Sequence, residues 1–310
     1  MTDVDRQTQL AREHRERQEQ RDKNTGGSGG TSKRNTIIGA GVGVVVVVGG
    51  IIAATTLMGG KDDAKTGAAA ASTPSASVSA SAGASAPAAL PSSTAAPAAA
   101  TCSYRKDDSG SPAKKVGIPP SKPDMKAKTM TIATNQGTIV IELATAAAPC
   151  TVNSFEFLAK KNFFDNTHCH RLATPETTGL GMLQCGDPLA KGDGKSKDDG
   201  TGGPGYLFDD ENLGGIGLGR GTVAMSQSSE DANSNGSQFW ISFSDENTQL
   251  SAQGAAFTPF GVVVKGMDII DKIAKGGIIP FNGDPMADVR GEGSNAPKLP
   301  VIIKDMKISR

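Results

Sequence analysis

The stretch NSNGSQFWISF, Asn233–Phe243, holds the single tryptophan of a 310-residue chain that has only ten phenylalanines and two tyrosines. Side chains alternate faces along a strand, so Phe239, Ile241 and Phe243 fall on one face and Gln238, Trp240 and Ser242 on the other. The first set reads as a core face. The second puts the tryptophan beside a glutamine, a pairing that a plain core has no use for.

On either side of this strand the chain breaks into short extended runs separated by Gly, Asp and Asn. HCHRL, GMLQCGD, GYLFDDEN and RGTVAMSQ precede it, and FTPFGVVV and PVIIKDMKIS follow. Further upstream, MTIATNQGTIVIEL (Met130–Leu143) has two alternating β-branched runs around Asn-Gln-Gly, the pattern of a hairpin. The spacing of Val152, Phe155, Phe157, Leu158 and Phe163 predicts a helix beginning near Pro149 or Thr151, and GMDIIDKIAKG (Gly266–Gly276) predicts a second. Many short strands, two helices and no strand–helix alternation predict a mainly β fold, an antiparallel barrel rather than a doubly wound sheet.

The remainder of the chain is of a different kind. Residues 1–35 are polar and mix both charge signs without an apolar stripe, so they read as a solvated tail. Thr36–Gly60, TIIGAGVGVVVVVGGIIAATTLMGG, carries no charge. As a helix it would span about 37 Å, enough for a hydrocarbon core of about 30 Å. Lys33, Arg34 and the upstream arginines then keep the N-terminus cytoplasmic and send the rest outside, which predicts a single-pass membrane protein with a retained anchor. A cleaved signal peptide is the competing reading. Residues 61–126, rich in Ala, Ser and Pro, read as a disordered tether reaching on the order of 45 Å. The globular domain is expected over 127–310. Lys plus Arg and Asp plus Glu both number 32, so nothing in the net charge argues for a nucleic-acid partner.

Several local patterns are decoys. GTGGPG (Gly200–Gly205) has dinucleotide-loop spacing but contains proline and leads into YLFDDEN rather than a helix. His168 and His170 share a strand face without a placed third ligand, so no metal is expected. No nucleophile-elbow pattern is present, and FDDEN reads as a solvated turn. The four cysteines allow three connectivities; Cys169 and Cys185 lie on consecutive predicted strands and are expected to pair, leaving Cys102 for Cys150.

Taken in order, FFDNTHCHRL, LQCGDP, GTGGPGYLFDDEN, GTVAMSQS, NSNGSQFWISF and FTPFG resemble the cyclophilin family of peptidyl-prolyl cis–trans isomerases, in its bacterial exported form. The resemblance covers most of 130–310 and implies a closed eight-stranded antiparallel barrel with a helix capping each end. It implies Arg171 as the catalytic residue and Met182, Trp240 and Leu250 as the proline pocket, with Phe257 closing it. Gln184 and Gln238 would hold the peptide backbone, with Gly200, Ser226, Gln227 and Ser228 along the groove. Asp187, Phe239 and Asn235 would be structural. No cofactor is implied.

The chain departs from the family pattern in several places, among them Phe257 where a histidine is usual and a lengthened loop at DPLAKGDGKSKDDGTGGPG. Gly181 replaces an aromatic and is expected to open one pocket wall. Trp240 replaces a phenylalanine. Gln249 stands where a tryptophan supports cyclosporin binding, so weak sensitivity to that compound is expected. The expected function is isomerisation of Xaa-Pro bonds in unfolded exported proteins by a membrane-held monomer. The alternative is a peptide-binding chaperone or scaffold of the same fold with little turnover.

Overall fold

The computed structural model of the protein describes residues 100–227 and 232–310. The expected tail (1–35), membrane span (36–60) and the first part of the tether lie outside the described residues. Among the described residues, no helix is long and apolar enough to cross a membrane.

The hairpin forms as its alternation dictates. In β2 (Thr129–Thr134) and β3 (Gly137–Leu143), Met130, Ile132, Ile139, Ile141 and Leu143 are buried while their neighbours are not. Thr134 Oγ1 closes the intervening turn, donating to the Gly137 carbonyl and accepting the Gln136 and Gly137 N–H groups. Helix α1 (Pro149–Lys160) starts on a proline, and no side chain at its N-cap, Ala148, satisfies the first N–H groups. Glu211 does so from a distance, its carboxylate accepting from Cys150 N at 3.0 Å and Thr151 N at 2.8 Å. This meets both the unpaired donors and the positive end of the helix dipole. Burial pushes the Glu211 carboxyl above its ordinary range, partly offset by these hydrogen bonds.

The chain continues through β4 (Thr167–His168), β5 (Arg171–Ala173), α2 (Pro175–Thr178), β6 (Met182–Cys185), β7 (Tyr206–Phe208), β8 (Thr222–Gln227) and β9 (Asn235–Ser242). It then enters a 3-10 turn at Asp245–Asn247, α3 (Thr248–Ala252), β10 (Pro259–Lys265) and α4 (Met267–Lys275). The last strands are β11 (Ile278–Ile279), β12 (Ala296–Pro297) and β13 (Ile302–Ser309). The two expected helices are α1 and α4; α2 and α3 are short additions that the sequence periodicity is too brief to announce.

The fold is mainly β, but the expected closed eight-stranded barrel is not what the hydrogen bonds make. They make one eleven-stranded antiparallel sheet that includes β1 (Tyr104–Lys106), in the order β1-β7-β9-β8-β10-β3-β2-β13-β4, with β6 joining β9 to β5. The ladder is interrupted between β4 and β5, where one run of chain changes partners. Cys169 N bonds Val301 O beside β13, whereas His170 N bonds Gln184 O on β6.

The last part of the expected tether, from residue 100 on, is anchored to the domain. Residues 104–106 form β1, paired with β7 in register Tyr104↔Phe208, and Cys102 is disulfide-bonded to Cys150 at the start of α1. Asn153 Nδ2 donates to Tyr104 Oη and to Pro120 O. Alanine, serine and proline content says nothing of such long-range anchors, which is why this segment reads as free chain. A second disulfide joins Cys169 to Cys185, with Cα atoms 3.9 Å apart. The core centres on Phe155, which meets Phe260 at 4.7 Å and Phe239 and Phe164 at 5.5 Å between ring centroids. Such aromatic packing adds to the burial of large apolar area.

Candidate active site

Register decides what faces the site. Arg171 on β5 lies opposite Gln184 on β6, Gln184 opposite Trp240 on β9, and Trp240 opposite Ala224 on β8. These four residues form one lateral row across four strands, and residues paired in this way share a sheet face. The adjacent row, Leu172, Leu183, Ile241 and Val223, faces the main core. All eight residues of β9 are buried. Trp240 and Gln238 therefore do not face solvent; they belong to a second buried cluster and polar chain on the opposite side of the sheet from Phe239.

The apolar part of that side is Ala173, Leu180, Met182, Leu218, Ala224, Trp240 and Leu250, with Ala255 and Phe257 packed at its margin. Trp240 is 1% exposed. Its indole N–H donates to Met225 O at 3.1 Å, and its ring meets Phe257 edge-on at 5.7 Å. Met182, Trp240, Leu250 and Phe257 are thus brought together.

The polar part is a chain of hydrogen bonds. Arg171 Nη1 donates to Gln184 Oε1 at 3.2 Å. Gln184 Nε2 donates to Gln238 Oε1 at 2.9 Å and to Ser226 Oγ at 3.0 Å. Gln238 Nε2 in turn donates to the carbonyls of Gly200 and Gly202. Gly200 needs its left-handed backbone, φ 91°, and Asp187 holds the loop from below by accepting from Gly200 N and Gly202 N. Gln227 lies further along, donating to Ala256 O at 3.0 Å. Ser228 lies outside the described residues. Asn235 donates to Asp210 Oδ1, bracing a loop rather than entering the cluster.

Three features escaped the sequence. Arg171, 8% exposed, pairs through Nε with both carboxylate oxygens of Asp288, at 2.9 and 3.1 Å. Nothing local links these residues, which are 117 positions apart. His170, beside Arg171, is buried, and among the described residues neither ring nitrogen has a hydrogen-bond partner. Burial drives its pKa below the ordinary range, against the opposing fields of Asp187 and Asp199. Finally, the expectation that Gly181 opens a pocket wall is corrected. A Cβ there would lie 2.5 Å from Ser244 Cβ and 2.9 Å from the Phe243 ring, so that space is already filled. Gln249 Nε2 donates to Gly179 O. Among the described residues no group of three or more His, Cys, Asp or Glu is placed to hold a metal ion.

Residues 129–308 match the family model described as cyclophilin type peptidyl-prolyl cis-trans isomerase/CLD. The chain is similar to the probable peptidyl-prolyl cis-trans isomerase B of Mycobacterium leprae, 40% identical over 200 residues, covering 59% of this chain and 61% of that protein. It is similar to the Mycobacterium tuberculosis protein of the same description at 39% identity, covering 58% of each. A peptidyl-prolyl cis-trans isomerase of Acinetobacter baylyi is 35% identical over 176 residues, covering 56% of this chain and 82% of that protein. The match thus spans about three fifths of the length of the two mycobacterial relatives. The chain belongs to the cyclophilin-type peptidyl-prolyl cis-trans isomerase family, through the domain that holds this site.

Proposed function

We propose that this chain accelerates the cis–trans isomerisation of Xaa-Pro bonds in unfolded exported or envelope proteins. In this reading it acts as a monomer held at the cell membrane by residues 36–60, with its N-terminus cytoplasmic and its domain outside. The observation that carries the reading is the lateral row in which the Arg171 guanidinium and the Gln184 amide adjoin the apolar cluster around Trp240.

An Xaa-Pro bond prefers trans by only about 0.5–1 kcal/mol, yet it crosses a barrier of about 18–20 kcal/mol. Nothing is cleaved, so no nucleophile is needed. When the amide twists, resonance is lost and the proline nitrogen gains a localised lone pair. A guanidinium N–H can donate to that lone pair but not to the planar amide, so the interaction is stronger in the transition state. A charge-assisted hydrogen bond of about 1.5–3 kcal/mol corresponds to roughly 10- to 150-fold in rate. The rest comes from positioning: Met182, Trp240, Leu250 and Phe257 enclose the ring, while Gln184, Gln238 and the Gly200 loop hold the flanking backbone. Ser226 and Gln227 extend the groove, and the family resemblance adds Ser228. Gln249 in place of tryptophan supports weak cyclosporin inhibition.

The test is isomerisation of Xaa-Pro peptides by the detergent-solubilised full chain, measured by exchange spectroscopy beside Arg171→Ala. A wild type no faster than the variant would favour the alternative, a peptide-binding chaperone of the same fold.

A further inference from the structure

Between α4 and β13 the chain makes an excursion, residues 278–297, whose ends pair as β11 and β12. It is locked onto the strand that carries Arg171. Leu172 N donates to Asn295 O at 2.8 Å; Asn295, fully buried, accepts from Phe281 N and donates to Pro285 O. Asn282 N donates to Gly194 O, tying the excursion to the loop after β6 as well. Asp288 is presented from this frame, 5% exposed, and among the described residues only Arg171 donates to its carboxylate.

We propose that Asp288 is the positioning residue of the site, anchoring the Arg171 guanidinium through Nε so that its Nη2 group is the donor offered to the substrate. This rests on the isomerase reading above. An arginine side chain has many rotamers, and one fixed contact does not orient a planar fork. Two do: Nε–H to Asp288 and one Nη1–H to Gln184 define the guanidinium plane. Of the five N–H groups of the guanidinium, three are then without a partner among the described residues: the second on Nη1 and both on Nη2, so Nη2 is the one nitrogen with its full donor pair to offer. The anchor also leaves the buried cation compensated when no ligand is present. Asp288 touches no reacting atom; it acts through Arg171.

The experiment uses the detergent-solubilised full chain as wild type, Asp288→Ala, Asp288→Asn, Arg171→Ala and the double variant Arg171→Ala/Asp288→Ala. Isomerisation kinetics give kcat and KM, Trp240 emission gives peptide affinity, and the Arg171 Nε–H resonance reports the anchor directly. Asp288→Ala is expected to lower kcat by at least about tenfold while KM moves less than about threefold, because misplacing a group by an ångström costs rate rather than affinity. Asp288→Asn, which keeps an acceptor for Nε–H, is expected to lose less, and it serves as the test if the alanine variant does not fold. In the Arg171→Ala background, removing Asp288 is expected to cost nothing further. The proposal is overturned by an Asp288→Ala enzyme within about twofold of wild type, by a loss confined to KM, or by an equal loss in both backgrounds. It is also overturned by an Nε–H resonance unchanged in both Asp288 variants. A wild type without turnover would instead sink the isomerase reading, and the resonance would still decide whether the anchor exists.

Discussion

Truncating Arg171 tests two consequences of one geometry. The pair it forms with Asp288 is buried on both sides, with side-chain exposures of 10% and 5%. Arg171→Ala strands the carboxylate without its cation, and breaking such a pair costs about 3–5 kcal/mol. At roughly 2–4 °C per kcal/mol for a domain of this size, the melting temperature should fall by about 6–20 °C. Activity should fall by about 10- to 150-fold at a temperature where the variant is still folded, the range of one charge-assisted hydrogen bond. Arg171→Lys separates the two effects. A lysine ammonium can still compensate Asp288, so most of the stability should return. It cannot hold Asp288 and Gln184 while presenting a third donor in the same plane, so most of the activity should not. The measurements are calorimetric melting, near-UV circular dichroism at the assay temperature, and exchange spectroscopy on an Xaa-Pro peptide. A lysine variant as active as wild type would refute the argument from fork geometry. An alanine variant as stable as wild type would refute the claim that the pair is buried and coupled.

Removing Cys102–Cys150 by serine substitution should cost about 4 kcal/mol and removing Cys169–Cys185 about 3 kcal/mol. These values follow from loop closure over separations of 48 and 16 residues. Chemical denaturation should rank them in that order, and the reverse ranking would count against the entropic account. Gly181→Ala should destabilise by about 1–3 kcal/mol, because its Cβ meets Ser244 and Phe243, and urea midpoints would measure it. Glu211 titrates above the ordinary glutamate range in the folded state because it is buried. The folded state therefore binds its proton more tightly than the unfolded chain does. Its contribution is complete below about pH 4.3 and is lost as pH rises through the folded value. The difference in melting temperature, Glu211→Gln minus wild type, should consequently grow more positive as pH rises from about 4. A difference that shrinks over that range would show that the helix N–H groups outweigh burial.

Much of the architecture was legible because it is periodic. The alternation in NSNGSQFWISF separates Phe239 and Ile241 from Gln238 and Trp240, and the sheet puts these sets on opposite faces. The hairpin at 129–143 and helices α1 and α4 were legible for the same reason. The sequence resemblance named Arg171, Gln184 and Trp240 separately. The pairing register then aligned them in one row.

What the chain alone determines is therefore the set of faces, since backbone geometry makes every strand alternate and every helix turn wherever it lies. Which partners meet across those faces was decided only by tertiary structure. Tyr104–Lys106 becomes a strand because Cys150 and β7 receive it, not because YRK has a strand pattern. Glu211 caps a helix through the N–H of Cys150, 61 residues earlier. Phe243 fills the space expected to stand open at Gly181. Asp288 reaches Arg171 from an excursion with no periodicity to mark it. Each is a contact between distant segments, fixed only when the intervening chain folds back, and short-range spacing holds no information about where that return will land.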